Sequence, residues 1–439
     1  MDYKQLINKA VAAGFSDFEA YVSDSETLNI SLFNGNVDKT SANSSHSIAL
    51  RGIYQEKVVN TTIEDDNADI DKVIKQMIAN ASVITSDEKS EIFAGSESYP
   101  TLEAIEGGFD KVTTAEKIEL LKQTEQIAKG LDSRIVLLSH CQYTDSVQTV
   151  RIINSKGLDI SKSANYGVLV LGAVAKDGDS VQDGFEVKVA LKYSDFDPEK
   201  VAKTAVEKAI SMLGADAIES KSYPVIMEND AMASVLGGFC SMFSGDAALK
   251  RLTSLIGKEG EKIMGEEVNI IDDPLMKDSV NSQPFDDEGV ASYTKYVVEK
   301  GVFKTFLHNL KTAKFFNAKS TGNGVRGVDV GVGPVNLYVQ PGMKTKEEII
   351  KETEEGLLIT DLAGLHAGLN PVSGDFSAQA SGYYIKDGEI VKPVTLIVVS
   401  GNFLKMMNEI EEIGSDLYMG HSGIGAPSIK FKSLPISGK

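Results

Sequence analysis

Cysteine is scarce: the 439 residues contain two, Cys141 and Cys240, about a hundred positions apart. Two thiols so placed form no disulfide framework, and the expectation is a reducing compartment, the cytoplasm. Long apolar runs are missing too. No stretch approaches the roughly 18 apolar residues of a membrane span. The opening Met1-Asp2-Tyr3-Lys4-Gln5 has neither the basic region nor the continuous apolar region of a secretion signal. Positive charge is also short, with Lys+Arg at 44 against Asp+Glu at 63 and a net charge of −19. No basic cluster offsets that average, and the densest charge runs, Glu64-Asp65-Asp66 and Asp286-Asp287-Glu288, are acidic. Nucleic acid needs a positive footprint and an anionic membrane surface needs basic residues, so both are argued against as direct partners.

Several catalytic signatures are lacking as well. The five histidines, His46, His140, His308, His366 and His421, include no pair at i,i+4 spacing, and there is no CxxC. His140 and Cys141 are adjacent, but neighbours on a strand point to opposite faces. These residues read as structural, not as an intrinsic zinc site. Gly420-His421-Ser422-Gly423-Ile424 misses a serine-hydrolase elbow by its last residue. Gly257-Lys258-Glu259-Gly260 lacks the Lys-Ser/Thr pair of a phosphate-binding loop.

Hydrophobic residues at 42% and charged residues at 24% are those of a soluble globular protein. The length suggests two to four domains with cores that need no staples. A first helix runs from an Asp2 cap through Leu6, Ile7, Ala10 and Val11 to Gly14. Strand-like segments follow at 18–22, 28–33, 46–54 and 58–62, with Asn34-Gly35 as a hairpin turn, and a helix over 68–81 closes the unit. The pattern then returns: a helix at 115–129, strands at 135–143, 146–154, 158–163, 166–176 and 185–191, and a helix at 198–213 with Pro198 in its first turn. Two α–β-meander–α halves, about 1–82 and 109–214, are expected to form one N-terminal α/β domain over 1–214 with a possible internal duplication. A polar excursion over 83–108, read as solvated, joins them.

Past 222 the composition shifts to short apolar strands and frequent glycine. The fold class is therefore α+β: an antiparallel meander sheet with flanking helices, then a β-rich domain with Gly-rich loops over 222–439. The stretch 243–267 reads as a long loop, and a helix is expected over 231–243. Three loops carry unusual texture. Ser320-Thr321-Gly322-Asn323-Gly324-Val325-Arg326 combines close backbone approach with a planar, five-donor guanidinium. Gly364-Leu365-His366-Ala367-Gly368-Leu369-Asn370 leads to Ser373-Gly374-Asp375-Phe376-Ser377, and Ser400-Gly401-Asn402 ends an apolar strand. Turn chemistry explains much of this: Asn402 reads as a helix cap, and for Arg326 an internal salt bridge stands beside a ligand contact.

With the strand and turn 383–393 and the closing Gly425-Ala426-Pro427-Ser428-Ile429, the order and spacing of these loops resemble the TldD/PmbA family. That family was once called modulators of DNA gyrase and is now regarded as metallopeptidase-related. The resemblance implies two kinds of subunit. The TldD type carries His-Glu-x-x-x-His on a helix, with a C-terminal Cys completing a zinc site; the PmbA or TldE type lacks it. On this chain the motif falls at Gly237, Gly238 and Met242; the stretch between Asp416 and Pro427 is short, and the Cys-bearing segment is missing.

The resemblance thus implies a non-catalytic PmbA/TldE-type subunit of a metallopeptidase heterodimer, without a cofactor of its own and with zinc in a TldD-type partner. It would complete a chamber for short or unfolded peptides, in their proteolysis or maturation. Ser320, Thr321, Gly322, Asn323, Arg326, His366, Asn370, Gly374, Asp375 and Phe376 are the candidate peptide-binding residues. A homodimer of the isolated chain is a further possibility. The alternatives are a stand-alone peptidase with an unrecognised site and a peptide-binding scaffold.

Overall fold

The structure is a computed structural model that describes residues 1–84, 91–327 and 329–439. Its N-terminal part is one sheet built from two copies of the same element order. The first is α1 (Tyr3–Ala12), β1 (Phe15–Phe33), β2 (Asn36–Tyr54), β3 (Lys57–Ile63) and α2 (Ile70–Val83). The second is α3 (Thr114–Leu131), β4 (Ile135–Asn154), β5 (Asp159–Asp177), β6 (Ser180–Ala190) and α4 (Pro198–Ser211). The two meanders join through their first strands, β1 against β4, giving the order β3-β2-β1-β4-β5-β6.

Local chemistry sets these elements. Asp2 caps α1 by accepting the Gln5 N–H, Thr113 and Glu116 form a reciprocal box on α3, and Asp197 caps α4 ahead of Pro198. At the β1–β2 turn Asn34 and Gly35 have φ of 50° and 78°, the left-handed pair that a two-residue hairpin requires. Each half buries its own cluster between sheet and helices: Phe15, Phe18, Ile48 and Met77 in the first, Tyr143, Leu169, Leu171 and Ala205 in the second.

The strands are longer than periodicity suggests. Segments read separately at 18–22 and 28–33 are one strand, and 36–45, with no apolar alternation, belongs to β2. Ser, Thr and Asn side chains on this outer stretch pair across strands instead, as in Ser25–Ser45 at 2.8 Å and Thr27–Ser146 at 2.9 Å. The described part of the excursion, 91–108, is not a solvated loop. Ile92 is buried, the Tyr99 hydroxyl donates to the Gly289 carbonyl at 2.8 Å, and the Ser96 hydroxyl accepts from the Ala291 N–H at 3.0 Å. Residues 85–90 of that excursion lie outside the described residues.

The C-terminal part wraps two sheets around a helix. It begins with β7 (Lys221–Met227), α5 (Asn229–Phe239) and α6 (Gly245–Leu249), the last within the stretch read as a loop. Next come β8 (Ile270–Asp272), β9 (Lys295–Glu299), β10 (Val302–Phe303), α7 (Leu310–Phe315), β11 (Gly324–Arg326), β12 (Val330–Val332) and β13 (Leu337–Val339). The chain continues through α8 (Lys346–Lys351), β14 (Glu355–Ala363), α9 (Leu365–Gly368), β15 (Asp375–Lys386) and β16 (Glu389–Asn402). It closes with α10 (Phe403–Met406), β17 (Ile410–Ile413), β18 (Tyr418–Met419), β19 (Ile424–Ala426) and β20 (Ile429–Ser437).

One sheet runs β16-β15-β14-β7-β20-β17 and curls until β16 also meets β20; the other runs β10-β9-β8-β13-β19-β18. α5 packs on β14 of the first sheet and on β18 and β19 of the second. It buries Ala231, Met232, Ala233, Val235, Leu236 and Phe239, so it is apolar on several faces, as a helix between two layers must be. The sequence-expected helix over 231–243 changes to a tighter 3₁₀ turn at Cys240–Phe243, where Met242 and Phe243 turn into the core.

Backbone packs closely on backbone between α4 and β6. A Cβ on Gly184 would stand 2.2 Å from the Ala205 carbonyl oxygen and 2.4 Å from the Ala209 nitrogen. Neither backbone atom can swing aside. Gly184→Ala should therefore push α4 off the sheet and cost about 3 kcal/mol, measured by denaturant unfolding; an unchanged midpoint would refute the packing.

Candidate functional site

The C-terminal part docks on the end of the sheet face opposite its helices. Tyr21, Val150, Ile152 and Leu158 from that face meet Phe285 in an apolar cluster. Beside it lies a seam of charge. Glu19 on β1 and Arg51 on β2 are cross-strand partners, 0% and 5% exposed. Glu19 accepts Arg326 Nη2 at 2.6 Å and lies 3.3 Å from Arg51 Nη2. Arg51 Nη1 donates to Glu288 at 3.1 Å, and the other Glu288 oxygen accepts the Leu310 N–H at 2.7 Å. Asp287 accepts Lys162 Nζ at 2.9 Å and the Tyr21 hydroxyl at 3.1 Å through one oxygen, and the Arg326 N–H at 3.0 Å through the other. The Arg326 guanidinium also lies over the Tyr21 ring, 4.8 Å from its centre. The acidic run noted in the sequence is thus the inner surface of a domain junction, bracketed by buried Phe285 and Val290.

Burial decides the titration of this run. Asp286 accepts three backbone N–H groups, from Glu288, Val290 and Gly324. Burial and then the neighbouring Glu288 charge outweigh them and push its pKa up to about 7. Asp287 moves the other way: burial opposes its charge, but Lys162, the Arg326 amide and Tyr21 outweigh burial and hold it below the usual carboxylate range.

Behind this seam the 320–326 loop is bonded internally. Asn323 is fully buried; its amide donates to Asp272 at 2.7 Å and to the Gly333 carbonyl at 3.0 Å, and its oxygen accepts Lys295 Nζ at 3.1 Å. Thr321 donates to Asn323 at 2.7 Å, Ser320 donates to the His308 carbonyl at 3.2 Å, and Gly322 turns at φ 69°. Ser320, Thr321, Gly322, Asn323 and Arg326 therefore form one group, attached to the domain junction.

The second candidate group lies apart from it, over α5. His366 is exposed on α9. Asn370 accepts the N–H groups of Val372 and Ser373 and so shapes the turn. Asp375 accepts the Ser373 hydroxyl at 2.8 Å and the Asn402 amide at 2.8 Å; these bonds hold it ionised below its ordinary value, Asn402 contributing most. Gly374, at φ 85°, bonds the start of α10 through its carbonyl, and Asn402 caps that helix. Phe376 is buried, edge to face with Phe239 of α5 at 6.3 Å.

Under this turn lie the positions of interest on α5. A Cβ on Gly238 would stand 2.3 Å from Leu369 Cδ1, and one on Gly237 3.8 Å from Ile424 Cγ2. Met242 is fully buried in the main core, and Phe239 stacks on Phe403 at 4.8 Å. Leu369, Ile424 and Phe376 pack on α5 here. Gly237, Gly238 and Met242 supply no imidazole and no carboxylate there, so this residue set does not fit a zinc ion. The histidines are dispersed. His46 pairs with Asp24 at 2.6 Å, whose hydrogen bond raises its pKa, while buried His308 falls to about 4 through burial alone.

Comparison with known proteins matches all three parts of the chain. Residues 18–81 fit the family description PmbA/TldA metallopeptidase domain 1, 107–213 its central domain and 220–438 its C-terminal domain. A Metalloprotease PmbA homolog of Buchnera aphidicola subsp. Acyrthosiphon pisum is 30% identical over 331 residues, 74% of this chain and 71% of that protein. A crystal structure from Thermotoga maritima MSB8, described as a modulator of a DNA gyrase, has a TM-score of 0.93 at 33% identity over 99% of each chain. TldE from Thermococcus kodakarensis shares the fold, with a TM-score of 0.91 at 24% identity over 99% of this chain and 100% of that one.

The junction carries two tests. Arg51→Leu leaves Glu19 and Glu288 facing each other without their shared cation, and should cost about 3–5 kcal/mol in denaturant unfolding. Asp286 supplies a pH test. Its folded pKa of about 7 lies above its ordinary value of 3.8, so between these the native state holds a proton that the unfolded state has lost. Stability from this group is full below 3.8 and is lost as pH rises toward 7, at up to about 1.4 kcal/mol per pH unit. Asp286→Asn removes that slope, so its stability deficit against the native chain should shrink between pH 4.5 and pH 7. A deficit that does not change with pH would sink the assignment.

Proposed function

The chain belongs to the PmbA/TldD metallopeptidase family, and on that premise we propose that it is a non-catalytic subunit of the PmbA/TldE type. It completes a peptide-holding chamber, and a separate TldD-type chain supplies the zinc and the attack on the peptide bond. The observation that carries this reading is the residue set on α5. Where the active family pattern needs His-Glu-x-x-x-His, this chain has Gly237, Gly238 and Met242, with Leu369 packed onto the glycine face. A peptidase needs a group to bind the metal and a base to activate water, and this helix has neither.

The substrates in this reading are small or unfolded peptides, in proteolysis or maturation. The exposed turn over α5, with His366, Asn370 and Asp375, faces the substrate. Gly374 and Phe376 shape that turn, and Ser320, Thr321, Gly322, Asn323 and Arg326 hold the junction that positions it. Two free cysteines fit a cytoplasmic setting, and among the described residues no helix is long and apolar enough to cross a membrane. The net charge of −19 leaves nucleic acid out of the proposal.

The test is reconstitution. The chain is mixed with a TldD-type partner and zinc, and hydrolysis of an unfolded peptide is followed. The mixture should form a heterodimer by sedimentation and cleave at least tenfold faster than the partner alone, while this chain alone with zinc cleaves nothing. No gain at saturating concentration, or hydrolysis by the pure chain, would overturn the reading.

A further inference from the structure

A cleft of about 930 Å³ opens between the end of β6, the segment 103–106, the loop 277–280 and the end of β18. Both strands are the last of their sheets. Their outer sides therefore carry backbone groups with no strand beyond them.

Which groups face outward follows from the register. A two-residue turn, 178–179, joins β5 to β6, so the flanking pair Asp177–Ser180 exchanges hydrogen bonds, and every second pair after it does the same. The pairing runs unbroken to Gly167–Ala190. Lys188 and Ala190 therefore bond to β5, while Val187 and Val189 turn N–H and C=O away from it. Lys208 Nζ donates to the carbonyl of Phe185, a residue of that outward set, at 3.1 Å. On β18 the Gly420 N–H bonds the Ile424 carbonyl at 2.9 Å, so the neighbouring Met419, opposite Gly425, also turns its amide groups outward. Among the described residues, no loop or side chain bonds the outward groups of Val187, Val189 or Met419.

The chain itself shows how this edge takes a partner. Just past β6, the Tyr193 N–H donates to the Gly107 carbonyl at 2.8 Å, so a single extended segment of the excursion already lies along the continuation of the strand. It leaves the preceding stretch free. At the other end, Lys208 caps the edge at Phe185. The open stretch between them is too short for sheet-to-sheet pairing with a second copy and long enough for one extended chain. Its walls carry both signs of charge, Lys188 and Lys277 against Glu103 and Asp278, so net charge alone does not select the occupant.

We propose that the cleft between β6 and β18 takes one extended, unfolded peptide segment by strand addition to the outward amide groups of Val187 and Val189. This rests on the peptide-holding reading and locates where the peptide is held on this chain. The selection is for conformation: a folded chain has no free run of amide groups to offer.

The experiment uses the full chain and a dansyl-labelled, carboxymethylated insulin B chain as probe, read by fluorescence anisotropy and by hydrogen exchange. Peptide should slow exchange in 187–191 and at Met419. Val189→Pro removes one outward N–H at a site where an edge strand tolerates proline, and should weaken binding at least tenfold with unchanged circular dichroism. If the unsubstituted chain binds the probe without protection at 187–191, or Val189→Pro binds equally well, the cleft assignment falls and the peptide-holding reading stands. If the unsubstituted chain binds no probe, alone or with its partner, both fall. Should Val189→Pro fail to fold, exchange on the unsubstituted chain decides.

Discussion

A dry seam of opposed charges fixes how the two parts of this molecule meet. Glu19, Asp287 and Glu288 share Arg51, Arg326 and Lys162 across the junction, and each cation touches at least one carboxylate. Such a seam is costly to assemble, since every ion gives up its hydration, and apolar residues of the same volume would serve stability as well or better. What the charges add is register. Glu19 accepts from Arg326 of the other domain only if the sheet face and the 285–290 loop meet in one position. A slide by one residue along β1 would turn Glu19 to the helix-packed side and take from Arg326 its carboxylate partner. The width of the cleft between β6 and β18 is set by the same docking, because its walls come from both parts.

The family helix illustrates a different constraint. Around Gly238 the surface of α5 is given to packing. Gly238 lets the chain after α9 come down onto α5, and Leu369 takes the space a longer side chain would need. Phe239, Phe376 and Phe403 then form a continuous aromatic contact beneath the turn. Apolar contacts of this kind stabilise the subunit. This packing is legible in the pair of glycines followed by buried Phe239 and Met242.

Much of the fold could be read from residues, and the failures have physical causes. The helices around the meander sheet carry caps and a clear apolar stripe, so Asp2, Thr113 and Pro198 mark their starts. The Asn34-Gly35 turn has a backbone requirement that few residues meet. The stretches 23–27 of β1 and 36–45 of β2 were illegible, because polar side chains line both faces and leave no alternation for burial to impose. The acidic run at Asp286 shows in the sequence only as a cluster of negative charge. Its partners Arg51 and Lys162 lie more than a hundred residues away, and only the sheet register brings them to it. The same holds for Arg326, whose partner Glu19 is on β1. The family resemblance rested on loop order, which survives when pair contacts cannot be seen.

Magnitudes limit what a sheet edge can do. A backbone hydrogen bond is worth about 0.5–1.5 kcal/mol net. Val187 and Val189 offer four outward groups between them, so an added strand gains about 2–6 kcal/mol from pairing, against at least about 4 kcal/mol for lost translational and rotational freedom. One edge alone therefore holds a peptide weakly and lets it go. The second wall, at Met419, adds contact without demanding a sequence, and the flanking charges can meet either end of a short chain. Under the proposed role, positioning without chemistry, this is the balance required. If the metal sits in another chain, as proposed, a peptide bound tightly at β6 would not reach it, and one that no edge caught would arrive in random orientations. The small number of open amide groups would keep such a hold transient.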